Sequence, residues 1–352
     1  EAPPRSGSWN DAPVKHGAGS VGEPDTAAAN RPCVVVMGPT ASGKTRLGVE
    51  LCRRFGGEIV SAASRQVYRG LDLGTGKDLA EYGHGAGAVP YHLIDIADPD
   101  EEFHLFAYLT AARMALAGIG SRGALPLVVG GSVLYVKALL DGYSLDGGGV
   151  DAPLREALEQ HSDEQLLEIL KAEAPDVLAR TDTTQRHRLL RALEIARSRS
   201  GVGPNRGPEA LPDALILAPY YPRTVIHQRI AARLDARLAG GMLDEVRRLH
   251  DQGLSWERLE WFGLEYRYIS RYLRGCMSLT DMRDTLLARI RRFCRSQDIW
   301  FRKIEREGKT IHWIPEGRAA TAGSLVQRFL DGQPLPDPIL RLMDIRYGPR
   351  GD

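Results

Sequence analysis

Gly38-Pro39-Thr40-Ala41-Ser42-Gly43-Lys44-Thr45 follows the apolar run Cys33-Val34-Val35-Val36-Met37 and opens a helical pattern that continues to Phe55. The octet fits GxxxxGK[ST] without a mismatch. A strand, a glycine-rich loop and a helix in that order aim successive backbone N–H groups and a helix N-terminus at one anion. Lys44 adds a point charge there, and the Thr45 hydroxyl suits Mg²⁺. This stretch implies a polyphosphate ligand and a parallel α/β sheet, and leaves open which polyphosphate it is.

Working outward, short β-rich runs alternate with helical patterns. The strands are expected at Cys33–Met37, Glu58–Ser61, His92–Ile96 and Leu125–Val129, with a fifth at Ala214–Ala218. Helices are expected over Lys44–Phe55 and Phe103–Ala117. Near-continuous apolar strands between helices predict a P-loop NTPase-like parallel sheet covered on both faces. Between the fourth and fifth strands lies an all-helical detour, 143–212, with Gly147-Gly148-Gly149 at its entry and Gly201–Pro208 at its exit. Within it, Ser162 and Gln165 form a capping box. The core is thus expected to be discontinuous, over 31–142 and 213–330, with a helical C-terminal region from Thr224 to about Glu307 and a loose tail over 331–352.

A chain of 352 residues suggests about two domains. Its net charge of +1 points to no partner by bulk attraction, so any nucleic-acid site must come from local arginine clusters. The four cysteines form no CxxC pair, which predicts free thiols in a reducing compartment rather than a zinc site. No apolar run approaches the roughly 18 residues of a membrane span. Residues 1–30, rich in Gly, Ala, Pro and Ser and opening without methionine, are expected to be disordered and trimmed. A monomer in the cytoplasm is expected, with an organellar location left open.

After the second strand comes the stretch Ser61–Lys77, which brings hydroxyls, an amide and a phenol to the crevice edge where ligands of such sheets bind. That lining suits a polar planar group such as a base, and equally a surface turn. Near the C-terminus, at about 100° per residue, Arg291, Arg295 and Arg302 share one helical stripe. Ile290, Phe293, Trp300 and Ile304 fall on the side expected to face a core. Asp284 and Asp298 dilute the basic stripe, so RNA phosphate contact and a plain solvated face both stand on spacing alone.

Taken together, the segments Gly38–Thr45, Ser64–Lys77, Tyr91–Ile96, Val128–Tyr135, Arg188–Glu194, Gly263–Gly275 and Arg291–Lys303 resemble the tRNA dimethylallyltransferases in order and spacing, from about residue 33 to 314. The resemblance implies transfer of a dimethylallyl group from dimethylallyl diphosphate to the exocyclic amine of the adenine 3′ to the anticodon in tRNA. It implies that Gly38, Thr40, Ala41, Ser42, Gly43, Lys44 and Thr45 hold the donor diphosphate with Mg²⁺ at Thr45. Thr40, Lys44 and Arg233 are implied in catalysis, although Arg233 also reads as a surface helix arginine. The anticodon stem-loop is implied to meet Ser64, Arg65, Gln66, Ser132, Arg155, Arg188, Arg191, Arg291 and Arg295, with 143–212 as a tRNA-binding insertion. Ser132 keeps the hydroxyl of a family threonine.

One departure is chemical. Ala63 stands where the family pattern Asp-Ser-x-Gln sets a carboxylate, the implied general base. General acid–base help is worth about 10²–10⁴-fold, so slow turnover is expected. An engineered substitution, a natural impaired homologue and a stand-in by Asp72 or Asp95 all fit, the last least well because position decides such a role. Ser296 and Ile299 replace a family arginine and threonine, which weakens expected phosphate contact. The alternatives are a prenyltransferase acting on free adenine nucleotides, a P-loop nucleotide kinase or NTPase with Leu93-Ile94-Asp95 as its nearest second acidic motif, and a non-catalytic tRNA-binding homologue.

Overall fold

The computed structural model describes residues 32–143, 152–179, 181, 183, 186–197, 211 and 213–345. The expectation for 1–30 and the glycine entry and exit of the helical detour lie outside them. Six parallel strands, β1 (Cys33–Met37), β2 (Gly57–Ser61), β3 (Tyr91–His92), β4 (Leu125–Gly130), β5 (Ala214–Tyr220) and β6 (Ile311–Pro315), lie in the order β3-β2-β4-β1-β5-β6. The P-loop-type α/β architecture expected from the sequence is therefore present.

Helices α1 (Lys44–Phe55), α2 (Leu105–Ser121) and α3 (Val133–Asp141) flank the sheet. Four more, α4 (Ala152–Glu159), α5 (Asp163–Glu173), α6 (Pro175–Leu178) and α7 (Arg186–Arg197), bury their own leucines, including Leu158, Leu166, Leu170, Leu189 and Leu193. The Ser162–Gln165 capping box forms at the start of α5. Then follow α8 (Arg223–Ala239), α9 (Met242–Asp251), α10 (Trp256–Trp261), α11 (Leu264–Leu273), α12 (Leu279–Arg306) and α13 (Ala319–Leu330).

β1 is buried along its whole length because it is flanked by β4 and β5 and covered on both faces. One face packs Leu47 and Leu51 of α1 with Val326 of α13; the other packs Tyr108, Tyr135, Phe301 and Trp313. Phe301, fully buried 5.7 Å from the Trp313 ring, contributes about 1.5–3 kcal/mol by its burial.

The structure corrects four readings. The third strand covers Tyr91–His92 and not His92–Ile96, because Leu93 and Asp95 take positive φ angles of 65° and 56° and turn the chain away. Phe293 and Trp300 are exposed (49% and 39%) rather than core-facing; Cys294, Gln297, Phe301 and Glu305 fill the buried stripe of α12. β6 and α13 add a sixth strand and a covering helix to the sheet. Residues 331–345, expected to be loose, hold onto the fold: buried Glu305 accepts the Leu342 and Met343 N–H groups at 3.2 and 2.7 Å.

Candidate active site

The carboxyl ends of β1, β2 and β4 open onto one cavity of about 690 Å³, walled on the far side by α8, α11 and α12. Its floor depends on a close approach of two strand ends. A Cβ on Gly130 would sit 2.1 Å from the Ala62 carbonyl, so only glycine lets β4 and β2 meet there.

The phosphate loop forms one wall. Gly43 (φ 81°) and Ala41 (φ 61°) both sit in the left-handed region, the conformation in which successive N–H groups turn inward. Thr40, Ala41, Gly43, Lys44 and Thr45 line the cavity, while Gly38 and the buried Ser42 lie behind. The Thr40 N–H donates to Gln297 Oε1 at 3.0 Å, and Arg229 Nε donates to the Ala41 carbonyl at 2.8 Å. Lys44 Nζ rests on the Pro39 carbonyl at 3.3 Å. Burial, with Arg233 and Arg237 adding repulsion, brings Lys44 down to about 8.

The second wall carries the acceptor-side residues. Ser132 Oγ accepts from the Ser64 N–H at 2.8 Å and donates to Ser64 Oγ at 3.1 Å, so β4 sets the turn that leaves β2. Gln66 Nε2 donates to the Gly76 carbonyl at 2.8 Å. Ala63 lines the cavity beside Ser64, with a methyl group where the resemblance sets a carboxylate. Arg65 lays its guanidinium 3.9 Å above the Trp261 ring. Among the described residues, Asp78, Glu81 and Glu265 are the acids lining this space. Burial raises Glu81 and Glu265 above the usual carboxylate range.

Asp72 and Asp95 do not line the cavity and both are ion-paired to Lys77, so neither stands in at Ala63. That lysine is 1% exposed and also donates to the Tyr68 carbonyl at 2.8 Å. The same pairing takes Asp95 out of use as a second acidic motif for nucleotide hydrolysis.

Arg233 reaches the cavity from α8 and pairs with Asp78. The remaining arginines lie elsewhere. Arg155 and Arg191 both bind buried Glu194, each at 2.9 Å; the Arg155 pair ties α4 to α7, and the Arg191 pair lies within α7. Arg188 is exposed on α7. Arg291 and Arg295 lie along α12, where Arg295, Arg223 and His227 line a separate cavity of about 90 Å³. Burial and then Arg291, Arg223 and Arg295 hold His227 below its usual range.

Sequence reasoning missed four residues. Glu245 of α9, 5% exposed, accepts the N–H groups of Asp72, Leu73 and Gly74 at 3.1, 2.7 and 3.0 Å and the Tyr266 hydroxyl at 2.6 Å. It fixes the loop that Gln66 and Lys77 hold from the other side. Gln297, Arg237 and Glu265 were missed for the same reason: what each one faces lies far away in sequence.

Comparison with known proteins agrees with this geometry. Residues 66–304 match the family model described as IPP transferase. The chain is 47% identical over 311 residues to tRNA dimethylallyltransferase 1 of Geotalea uraniireducens, covering 88% of this chain and 97% of that protein. The chain belongs to the tRNA dimethylallyltransferase family. It is accordingly a transferase, of the prenyltransferase and tRNA-modification class. tRNA dimethylallyltransferase 1 of Syntrophus aciditrophicus is 46% identical over 282 residues, 80% of this chain and 92% of that protein. A crystal structure of the tRNA isopentenylpyrophosphate transferase of Bacillus halodurans superimposes with a TM-score of 0.62 at 29% identity, covering 86% of this chain and 98% of that one. A eukaryotic dimethylallyltransferase acting on tRNA shares the fold, with a TM-score of 0.74 at 22% identity, over 87% of this chain and 81% of that one. No helix among the described residues is long and apolar enough to cross a membrane.

Proposed function

We propose that the cavity transfers a dimethylallyl group from dimethylallyl diphosphate to the exocyclic amine of the adenine 3′ to the anticodon in a tRNA, slowly because Ala63 offers no carboxylate. The observation that carries this reading is convergence: the phosphate loop with Lys44 and Arg233 faces the Ser64, Gln66 and Ser132 strip across one space.

In this reading the diphosphate lies against the inward N–H groups of the loop and Lys44. The dimethylallyl chain lies against Phe262, Leu264, Ile290 and Phe293, the apolar side of the same space. The adenine leaves its stack and enters past Ser64 and Gln66. Its exocyclic nitrogen attacks C1 of the dimethylallyl group, the C1–O bond breaks, and the electron pair leaves on the diphosphate. Loop N–H groups, Lys44 and Arg233 meet that growing charge. The amine proton then passes to solvent, since Ala63 cannot accept it.

The loop fits Mg²⁺: Thr45 lines the cavity with a hard oxygen, and the buried Ser42 hydroxyl has no hydrogen-bond partner. Thr45 would hold the ion together with diphosphate oxygens, and the ion would neutralise leaving-group charge.

The helices α4–α7 with Arg155, Arg188 and Arg191, and α12 with Arg291 and Arg295, are the proposed tRNA backbone contacts. Labelled dimethylallyl diphosphate offered with tRNA, AMP and ATP in separate reactions tests the reading. Label in tRNA alone supports it; label in AMP, or ATP hydrolysis without transfer, contradicts it.

A further inference from the structure

Arg233 and Arg237 lie one turn apart on α8, so their side chains leave the same face. Both reach the backbone of Gly76. A Cβ built there would come within 1.7 Å of Arg237 Nη2 and 2.7 Å of Arg233 Nη2, and Gly76 has a φ of 66°. The loop bearing Gly76 is pinned by Glu245 and Lys77, so glycine at this position is what allows two guanidinium groups to lie against it.

The two arginines differ in their partners. Arg233 pairs with Asp78 and donates to the Gly76 carbonyl at 3.4 Å. Arg237 has its side chain 12% exposed, and its Nε and Nη2 find no hydrogen-bond partner. The Asp78 oxygen nearest to it is 3.9 Å away, beyond hydrogen-bond reach, and is the oxygen already held by Arg233. Glu265 is the other acid whose field Arg237 feels, and burial biases that carboxyl toward its neutral form. A buried guanidinium with two orphan donors is destabilising unless something fills them. Arg237 lines the same cavity as Lys44, Thr40 and Thr45.

We infer that Arg237 is a donor-binding residue of this chain: its Nε and Nη2 bind two oxygens of the diphosphate, opposite the phosphate loop. The fork geometry of a guanidinium suits that pairing, and a lysine would supply the charge without the fork. Arg233 has a hydrogen bond to Asp78, whereas Arg237 has only the 3.9 Å ion pair and two donors without a hydrogen bond, so Arg237 joins Arg233 at the ligand. This inference rests on the donor reading given above.

The experiment is calorimetric titration of inorganic pyrophosphate with Mg²⁺ into the full chain and into Arg237→Met and Arg237→Lys, with no tRNA present. The expected result is a Kd about 10-fold or more weaker in Arg237→Met, with Arg237→Lys between it and the parent chain. Without pyrophosphate, Arg237→Met keeps or raises Tm, because two orphan donors are gone. The Tm gained on adding pyrophosphate shrinks. Steady-state prenylation adds a second reading: KM for dimethylallyl diphosphate rises while KM for tRNA does not. If Arg237→Met folds poorly, the loss in Arg237→Lys carries the test. An unchanged pyrophosphate Kd in both variants overturns the role of Arg237 alone. A parent chain that binds no pyrophosphate overturns the donor reading itself.

Discussion

The Thr40 amide of the phosphate loop donates to Gln297 Oε1 at 3.0 Å, across 257 positions of chain. The other end of that side chain, Nε2, donates to the Gly131 carbonyl at 3.1 Å. One buried amide on α12 therefore sets the distance between the loop that would hold the diphosphate and the strand end that would present the acceptor. Replacing it orphans a donor and an acceptor at once, at about 1–3 kcal/mol each. Gln297→Leu should raise the KM for donor and for tRNA together, by about 10-fold, and lower the urea midpoint. Gln297→Glu, which keeps the acceptor and loses the donor, should fall between. A change in only one KM would show that the two walls are set independently.

Glu245 collects three backbone N–H groups and a tyrosine hydroxyl. Glu245→Ala leaves those donors unmet, each costing about 1–3 kcal/mol, and should destabilise the chain by several kcal/mol in urea unfolding. Gln at this position keeps part of the acceptor set and should cost less. An Ala variant as stable as the parent would mean that the Asp72–Gly74 loop carries no such dependence.

Thiol chemistry follows from burial. Cys33 and Cys52 are pushed up to about 12 and Cys294 to about 11, while Cys276 is exposed. The thiolate is the reactive form, so at pH 8 a thiol reagent should label Cys276 quickly and the other three only on unfolding. Cys276→Ser should abolish the fast phase. Fast labelling of more than one thiol in the native chain would contradict the packing of β1, α1 or α12, which bury Cys33, Cys52 and Cys294.

How much of this was open to a reader of the sequence depended on range. The phosphate loop and the capping box are local, and Gly38–Thr45 and Ser162–Gln165 fold as their spacing states. The run Leu93-Ile94-Asp95 looks like a strand by composition, but buried Lys77 captures Asp95 and the backbone turns there. Helical phase sets Phe293 and Trp300 opposite the arginine stripe, which predicts a core side that neither takes. Gln297 and Glu305 take the inside of α12 instead, since each has polar partners waiting in another element. β6 is a five-residue run broken by His312 and ended by Pro315, too short and mixed to be distinguished from a loop before its pairing with β5 is seen. Nothing in the spacing around Arg237 marks it; only the glycine at 76 and the unmet donors separate it from other helix arginines.

Gly76 gives a further check. An alanine there meets Arg237 and takes an unfavourable positive φ. Gly76→Ala should cost about 1 kcal/mol or more of stability and should weaken binding of pyrophosphate in parallel with Arg237→Met. Loss of stability with pyrophosphate affinity intact would separate the loop from the donor site.

The most direct measurement is a single-turnover reaction of the chain with labelled dimethylallyl diphosphate and a tRNA carrying adenine 3′ to the anticodon, run beside Ala63→Asp. The account predicts label on the exocyclic nitrogen of that adenine in both, faster by about 10²–10⁴-fold when the carboxylate is present. No label from either protein, or equal rates in the two, would contradict it.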